Sequence, residues 1–274
     1  MADLLTIVPF GGLCNRLRAT LSAGQLARSE TAKNVQVCWS SDFECAAHFD
    51  ELFESIDGEG FSVKHQTFWN ARPLRRNLHL PYYLRRLRYG CQKIWIRPQN
   101  GEDIREIAAR AKRVWVSSCH DMVGLSPADY QALRPLPALQ AQIDALTQQF
   151  GTKTIGVHIR RTDHRDAIAK SPTEAFRQAI EREIDSDAAT RFFLATDDIA
   201  LKQQLQARYG EHIIAQPMDD CLRTTRRGIE QAVVDLYCLA ATQKIYGSTT
   251  STYTLTAANI GDIPLQEVAA QETK

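Results

Sequence analysis

Between Val157 and Asp166 the sequence reads VHIRRTDHRD, so His158, Arg160, Arg161, Asp163 and Asp166 lie on or just after an apolar run, Thr154 to Ile159. Guanidinium groups recognise anions, and a strand that ends in them presents them at the edge where open α/β sheets bind ligands. Neighbours on a strand point to opposite faces, so Arg160 and Arg161 share one ligand only if a loop has begun. The other reading is an ion pair of Arg161 with Asp163 or Asp166 that stiffens the loop. Spacing alone leaves both open.

Three more stretches have the same character. Phe192 to Thr196 is an apolar run followed by Asp197 and Asp198; these polar groups either face a ligand, or Thr196 or Asp197 caps a helix from Ile199. In GIEQAVVDLYCLAATQ, Asp235 stands in a run of apolar helical residues, and a buried carboxylate demands a partner. The turn that follows carries Ser248, Thr249, Thr250 and Ser251, whose N–H and O–H groups can donate to phosphate oxygens; it could equally be a capped polar turn. At the N-terminus, Gly11, Gly12, Asn15 and Arg16 mark a strand-to-helix turn where the backbone can approach an anion or a polar sugar. That turn is neither a dinucleotide fingerprint nor a phosphate loop.

Elements that would position these groups are legible as β-rich runs: Leu4 to Phe10, Val35 to Ser40, Val114 to Ser117, Thr154 to Ile159, Phe192 to Thr196 and Lys244 to Ser248. They alternate with helical spacing, as parallel sheets covered by helices do. One helix is expected from a Ser171 cap to about Ile184, with Pro172 in its first turn and Glu174 at the capping-box position. Another is expected over Leu136 to Phe150, after which Gly151-Thr152-Lys153 reads as a hinge. The chain therefore divides into two α/β domains, 1–151 and 152–274.

Composition narrows the function classes. The chain has 274 residues, enough to bury a core without metal or disulfide. Its 33 Lys and Arg residues against 32 Asp and Glu leave no overall field pointing to nucleic acid or an anionic membrane. Seven scattered cysteines without a Cys-x-x-Cys pair suit a reducing compartment, and the first apolar run is too short for a leader or span. A cytoplasmic protein is expected. Arg72 to Arg97 holds eight Arg or Lys, four aromatics and no acid; it suggests either contact with an anionic surface or a solvated basic helix face.

Taken together, these motifs resemble the fucosyltransferase superfamily of α1,6-fucosyltransferases, nodulation fucosyltransferases and protein O-fucosyltransferases. The pattern His-x-Arg-Arg-x-Asp matches His158 to Asp163, and Ala-Thr-Asp-Asp matches Ala195 to Asp198. Asp-Leu-x-x-Leu before a strand and a Ser/Thr turn matches Asp235, Leu236, Leu239 and Ser248 to Ser251. The Gly-Gly-x-x-Asn-Arg turn resembles one in neighbouring branches, with Arg16 in place of glutamine.

That resemblance implies a GT-B fold, two Rossmann-like domains facing a cleft, and metal-independent, inverting transfer of fucose from GDP-β-L-fucose to a glycan hydroxyl. It implies that Arg160, with Arg161, meets the β-phosphate, that His158 and Asp235 recognise guanine, and that Asp197 and Asp198 meet the ribose or shape the donor pocket. Residues 248–251 would donate to the phosphates, with Thr196, Gly12, Asn15 and Arg16 also on the donor side. Asp163 and Asp166 are the candidates for the base. No cofactor or metal is expected, although Asp185-Ser186-Asp187 spells the Asp-x-Asp of metal-dependent transferases; placed after a helix, it reads as a solvated loop. The alternatives are another nucleotide sugar on the same fold, or a non-catalytic nucleotide- or polyanion-binding protein.

Overall fold

The computed structural model describes residues 1–67, 87, 90–95, 103–161, 165–217 and 220–270. The chain divides into two compact units, Met1–Arg134 and Pro135–Lys274. In the first, β1 (Leu4–Pro9), β2 (Val35–Trp39), β3 (Phe61–His65), β4 (Cys91–Trp95) and β5 (Arg113–Ser118) form a parallel sheet in the order β3-β2-β1-β5-β4. In the second, β6 (Thr154–Ile159), β7 (Arg191–Thr196), β8 (Ile213–Ile214), β9 (Ile245–Ser248) and β10 (Leu265–Val268) do the same in the order β10-β9-β6-β7-β8. Each sheet begins at its centre, and in the second the strand order reverses once, between β6 and β9. Such a reversal leaves a crevice beyond the carboxyl ends of the strands.

Burial explains why these runs become central strands. All six residues of β6 are buried, and in β7 the consecutive Phe192 and Phe193 are both fully buried although they point to opposite faces. Only a sheet covered on both sides permits this. Each such phenylalanine contributes about 1.5–3 kcal/mol of burial energy. In the first unit Leu5, Ile7, Val35, Val37, Val114 and Val116 form the equivalent core with Leu26 and Ile104 from the covering helices.

All six expected strands are present. The α/β class with Rossmann-like parallel sheets holds, but the division falls between Arg134 and Pro135, before the expected hinge at 151. Helix Pro137–Thr147 buries Leu139, Ile143 and Leu146, a stripe at helical spacing, and packs on helix Arg226–Ala240 of the second unit. Four strands escape the sequence reading: β3, β4, β8 and β10. Within the basic stretch 72–97, residues 91–95 are a strand paired with β5 rather than a helix face; its other residues, apart from Leu87 and Gly90, lie outside the described ones. None of Cys14, Cys38, Cys45, Cys119, Cys221 and Cys238 forms a disulfide, and no described helix is long and apolar enough to cross a membrane.

Candidate functional site

Because β6 lies between β9 and β7, the three motifs of the second unit sit side by side at the carboxyl ends of the strands. Register pairs His158 with Ala195 and with Gly247, and Ile159 with Thr196. Two hydrogen bonds join the ends: Arg160 N–H donates to Ser248 Oγ at 3.0 Å, and Arg161 N–H donates to Asp197 Oδ1 at 2.6 Å.

The strand ends at Ile159, so both arginines stand in a loop. Arg161 turns back on the protein. Its guanidinium donates to the carbonyls of Arg160 at 2.7 Å and Ser171 at 2.9 Å and to Thr173 Oγ1 at 3.0 and 3.1 Å, and it stacks 5.9 Å from the Phe176 ring. The side chain therefore fastens the loop to helix Thr173–Ser186. Burial draws its pKa down against the pull of Asp197 and Asp198, and a guanidinium stays charged regardless. Asp163 and the side chain of Asp166, expected as ion-pair partners or base, lie outside the described residues.

Ser171 is not the cap of helix Thr173–Ser186; Pro172 holds that position without a side-chain bond. The Ser171 hydroxyl instead accepts from Thr249 N–H at 2.9 Å and sits 3.1 Å from Thr249 Oγ1, so it braces the turn after β9. Helix Ile199–Tyr209 is capped by Asp198, whose Oδ1 accepts from Leu201 N–H at 3.0 Å, rather than by Thr196 or Asp197. That frees Asp197 for the arginine loop.

His158 is buried, its Nδ1 2.7 Å from Thr254 Oγ1 and its ring 4.8 Å from that of Tyr253. Burial pushes its pKa down to about 4, with Asp197 opposing and Arg160 adding to the fall, so the imidazole is neutral at pH 7. Gly247 makes the contact possible: a Cβ there would collide with Thr254, the residue that meets His158. The hydroxyl turn is largely occupied by the protein itself. Thr249 N–H is held by Ser171 and Thr250 N–H donates to Glu267 Oε1 at 3.0 Å, while Ser251 caps helix Thr252–Gly261. Thr250 has φ of 59°, a strained region for a β-branched residue that costs about 1–3 kcal/mol.

Asp235 gives the site its most unusual feature. It is buried, and its Oδ1 has no hydrogen-bond partner among the described residues. Burial raises its pKa to about 7, with Lys202 pulling the other way. Around it is a polar cluster that spacing did not reveal. Lys202 is buried and its Nζ donates to the Gln216 carbonyl at 3.2 Å; Gln216 Nε2 donates to the Gln231 carbonyl at 3.5 Å. Lys202 reads in sequence as an ordinary surface position of a helix, and only packing shows otherwise.

The first unit's turn is built differently. Gly11 has φ of 84°, where a side chain would crowd Asn15, and its N–H donates to Glu44 Oε2 at 3.2 Å. Gly12 precedes helix Leu13–Arg28, and Asn15 Oδ1 accepts from Arg18 at 2.9 Å. Arg16 is fully buried and donates to Gly11 O at 2.7 Å, Ser40 Oγ at 2.7 Å and Asp42 Oδ1 at 2.6 Å, locking the loop that follows β2. No group of three or more His, Cys, Asp or Glu placed to hold a metal occurs among the described residues. Asp187 ends a helix ahead of β7, at the opposite edge of the sheet from the motifs, where its carboxylate accepts from Ala189 N–H at 3.0 Å.

No family model matches the chain. Among solved structures, NodZ α-1,6-fucosyltransferase soaked with GDP-fucose superposes with a TM-score of 0.64 at 19% identity, covering 97% of this chain and 95% of that one. POFUT1 in complex with GDP-fucose gives 0.60 at 12% identity, with 97% of each chain covered. The chain has the fold of these fucosyltransferases. An Arg-to-Lys mutant of Arabidopsis thaliana FUT1 bound to GDP shares it as well, with a TM-score of 0.60 at 11% identity over 100% of this chain and 71% of that one. The fucosyltransferase fold thus spans nearly the whole sequence, including the first half, where motifs are sparse.

Proposed function

We propose that the chain is a metal-independent fucosyltransferase that moves L-fucose from GDP-β-L-fucose to a glycan hydroxyl with inversion. The observation that carries this is the junction of three strand ends, with Arg160 bonded to Ser248 and Arg161 to Asp197. The fold likeness to NodZ and POFUT1, both described with GDP-fucose, supports the choice of donor.

In this reading Arg160 meets the β-phosphate, where negative charge grows as GDP departs; a forked guanidinium suits that task. Arg161 positions it by fixing the loop. Neutral His158 and the open oxygen of Asp235 take the guanine, the carboxylate accepting from ring N–H and amino groups. The acceptor hydroxyl attacks the anomeric carbon from the face opposite the diphosphate. The bond to the diphosphate breaks with its electron pair leaving on GDP, and a base, Asp163 or Asp166, takes the hydroxyl proton.

Turnover of GDP-fucose, GDP-mannose and UDP-sugars in EDTA tests this. GDP-fucose is expected to be consumed with chelator present and UDP-sugars left intact. Strict dependence on a divalent ion, or preference for a uridine donor, would sink the proposal.

A further inference from the structure

We propose that Gln216 is a second base-recognition residue, whose Oε1 accepts a hydrogen bond from the 2-amino group of a guanine nucleotide beside Asp235. The inference rests on the nucleotide-sugar reading and assigns its specificity to a residue outside the motifs. Gln216 is 5% exposed, and its Oε1, like Asp235 Oδ1, has no partner among the described residues. Its amide has little freedom to reverse. Nε2 donates to the carbonyl of Gln231, one turn before Asp235 on helix Arg226–Ala240, and the Gln216 carbonyl is held by buried Lys202.

Buried polar atoms are rarely left without a partner, and two acceptors left open around one helical turn call for donors from outside the chain. The complement must therefore present adjacent N–H groups. Guanine offers a ring N–H beside an amino group on its pairing edge. Adenine and cytosine set a ring acceptor beside their amino group, and uracil flanks its single N–H with carbonyls, so each would place an acceptor against an acceptor. Hypoxanthine keeps the ring N–H and lacks the amino group, which makes it the discriminating probe. A site built around a donor rejects the analogue that lacks it.

The experiment is calorimetric titration of the whole chain in EDTA with GDP and with inosine diphosphate. Wild type is expected to bind GDP about tenfold tighter than inosine diphosphate. Gln216→Met is expected to lose about tenfold for GDP and little for inosine diphosphate, so that the two bind alike; a role in folding alone would weaken both equally. Equal binding of both diphosphates by wild type, or an undiminished preference in Gln216→Met, overturns the proposal while leaving the transferase reading in place. Failure of wild type to bind either diphosphate overturns both.

Discussion

In the first unit the fully buried Arg16 meets Asp42 and closes the loop after β2, whereas in the second the buried Asp235 keeps an oxygen without a partner among the described residues. Both sheets are parallel and start from the centre, so the difference lies in how each handles a charge taken out of water. Burial alone would raise the pKa of Asp42, but Arg16, the Ser40 hydroxyl and Glu44 N–H outweigh it and hold the carboxyl low. Burial pushes Asp235 up, with Lys202 the one counterweight among the described residues. A buried charge that is matched within the fold is scaffold; one left unmatched is poised for something from outside.

Removing the matched charge should break the contrast most visibly. Arg16→Met takes from Asp42 its charge partner and from the Gly11 carbonyl and Ser40 Oγ their donor, and is expected to cost about 4 kcal/mol in urea denaturation. A loss under about 1 kcal/mol would show that the arginine is not what holds the loop. Arg161 carries the equivalent duty in the second unit. Arg161→Lys cannot span two carbonyls and a hydroxyl with one ammonium, so a loss of about 2–3 kcal/mol is expected, together with slower turnover. Stability unchanged by the lysine would return Arg161 to the ligand.

The far edge of the second sheet supplies a control. Burial disfavours the Glu183 charge, but hydrogen bonds from Lys244, Tyr246 and Lys153 overcome it and bring the carboxyl down to about 2 from an ordinary 4.5. The unfolded chain therefore binds this proton first, so the stabilisation is complete above pH 4.5 and is lost as pH falls toward 2. Glu183→Gln should cost about 2 kcal/mol at pH 7 and flatten that acid limb, with nucleotide binding untouched. The smallest effect belongs to Asp235. A carboxyl near pH 7 ionises as pH rises, so GDP affinity should climb about tenfold between pH 6 and 8, and Asp235→Asn should abolish the slope.

Much of this was legible from residues in order. Apolar runs rich in β-branched and aromatic side chains became the central strands because those are buried on both faces. Strands at the sheet edges were missed for the opposite reason: Phe61–His65 carries a half-exposed face, Leu265–Val268 is polar in the middle, and Ile213–Ile214 is only two residues long. His158, Arg160, Asp197 and Ser248 were found as motifs, and the structure brings them together. Lys202 and Gln216 were not, since a lysine and a glutamine without local pattern carry no sign that they will be buried near an acid 33 and 19 residues further on. Ser171 misled because a serine before Pro-Thr-Glu reads as a helix cap, while the fold uses its hydroxyl to brace a turn distant in sequence.

The central claim is that Arg160 stabilises the departing diphosphate. Release of GDP from GDP-fucose, followed in EDTA for wild type and Arg160→Ala, tests it most directly. The variant should still melt cooperatively as a folded protein and turn over at least about 10³-fold more slowly. A near-normal rate in Arg160→Ala, or a wild type silent until a divalent metal is added, would contradict it.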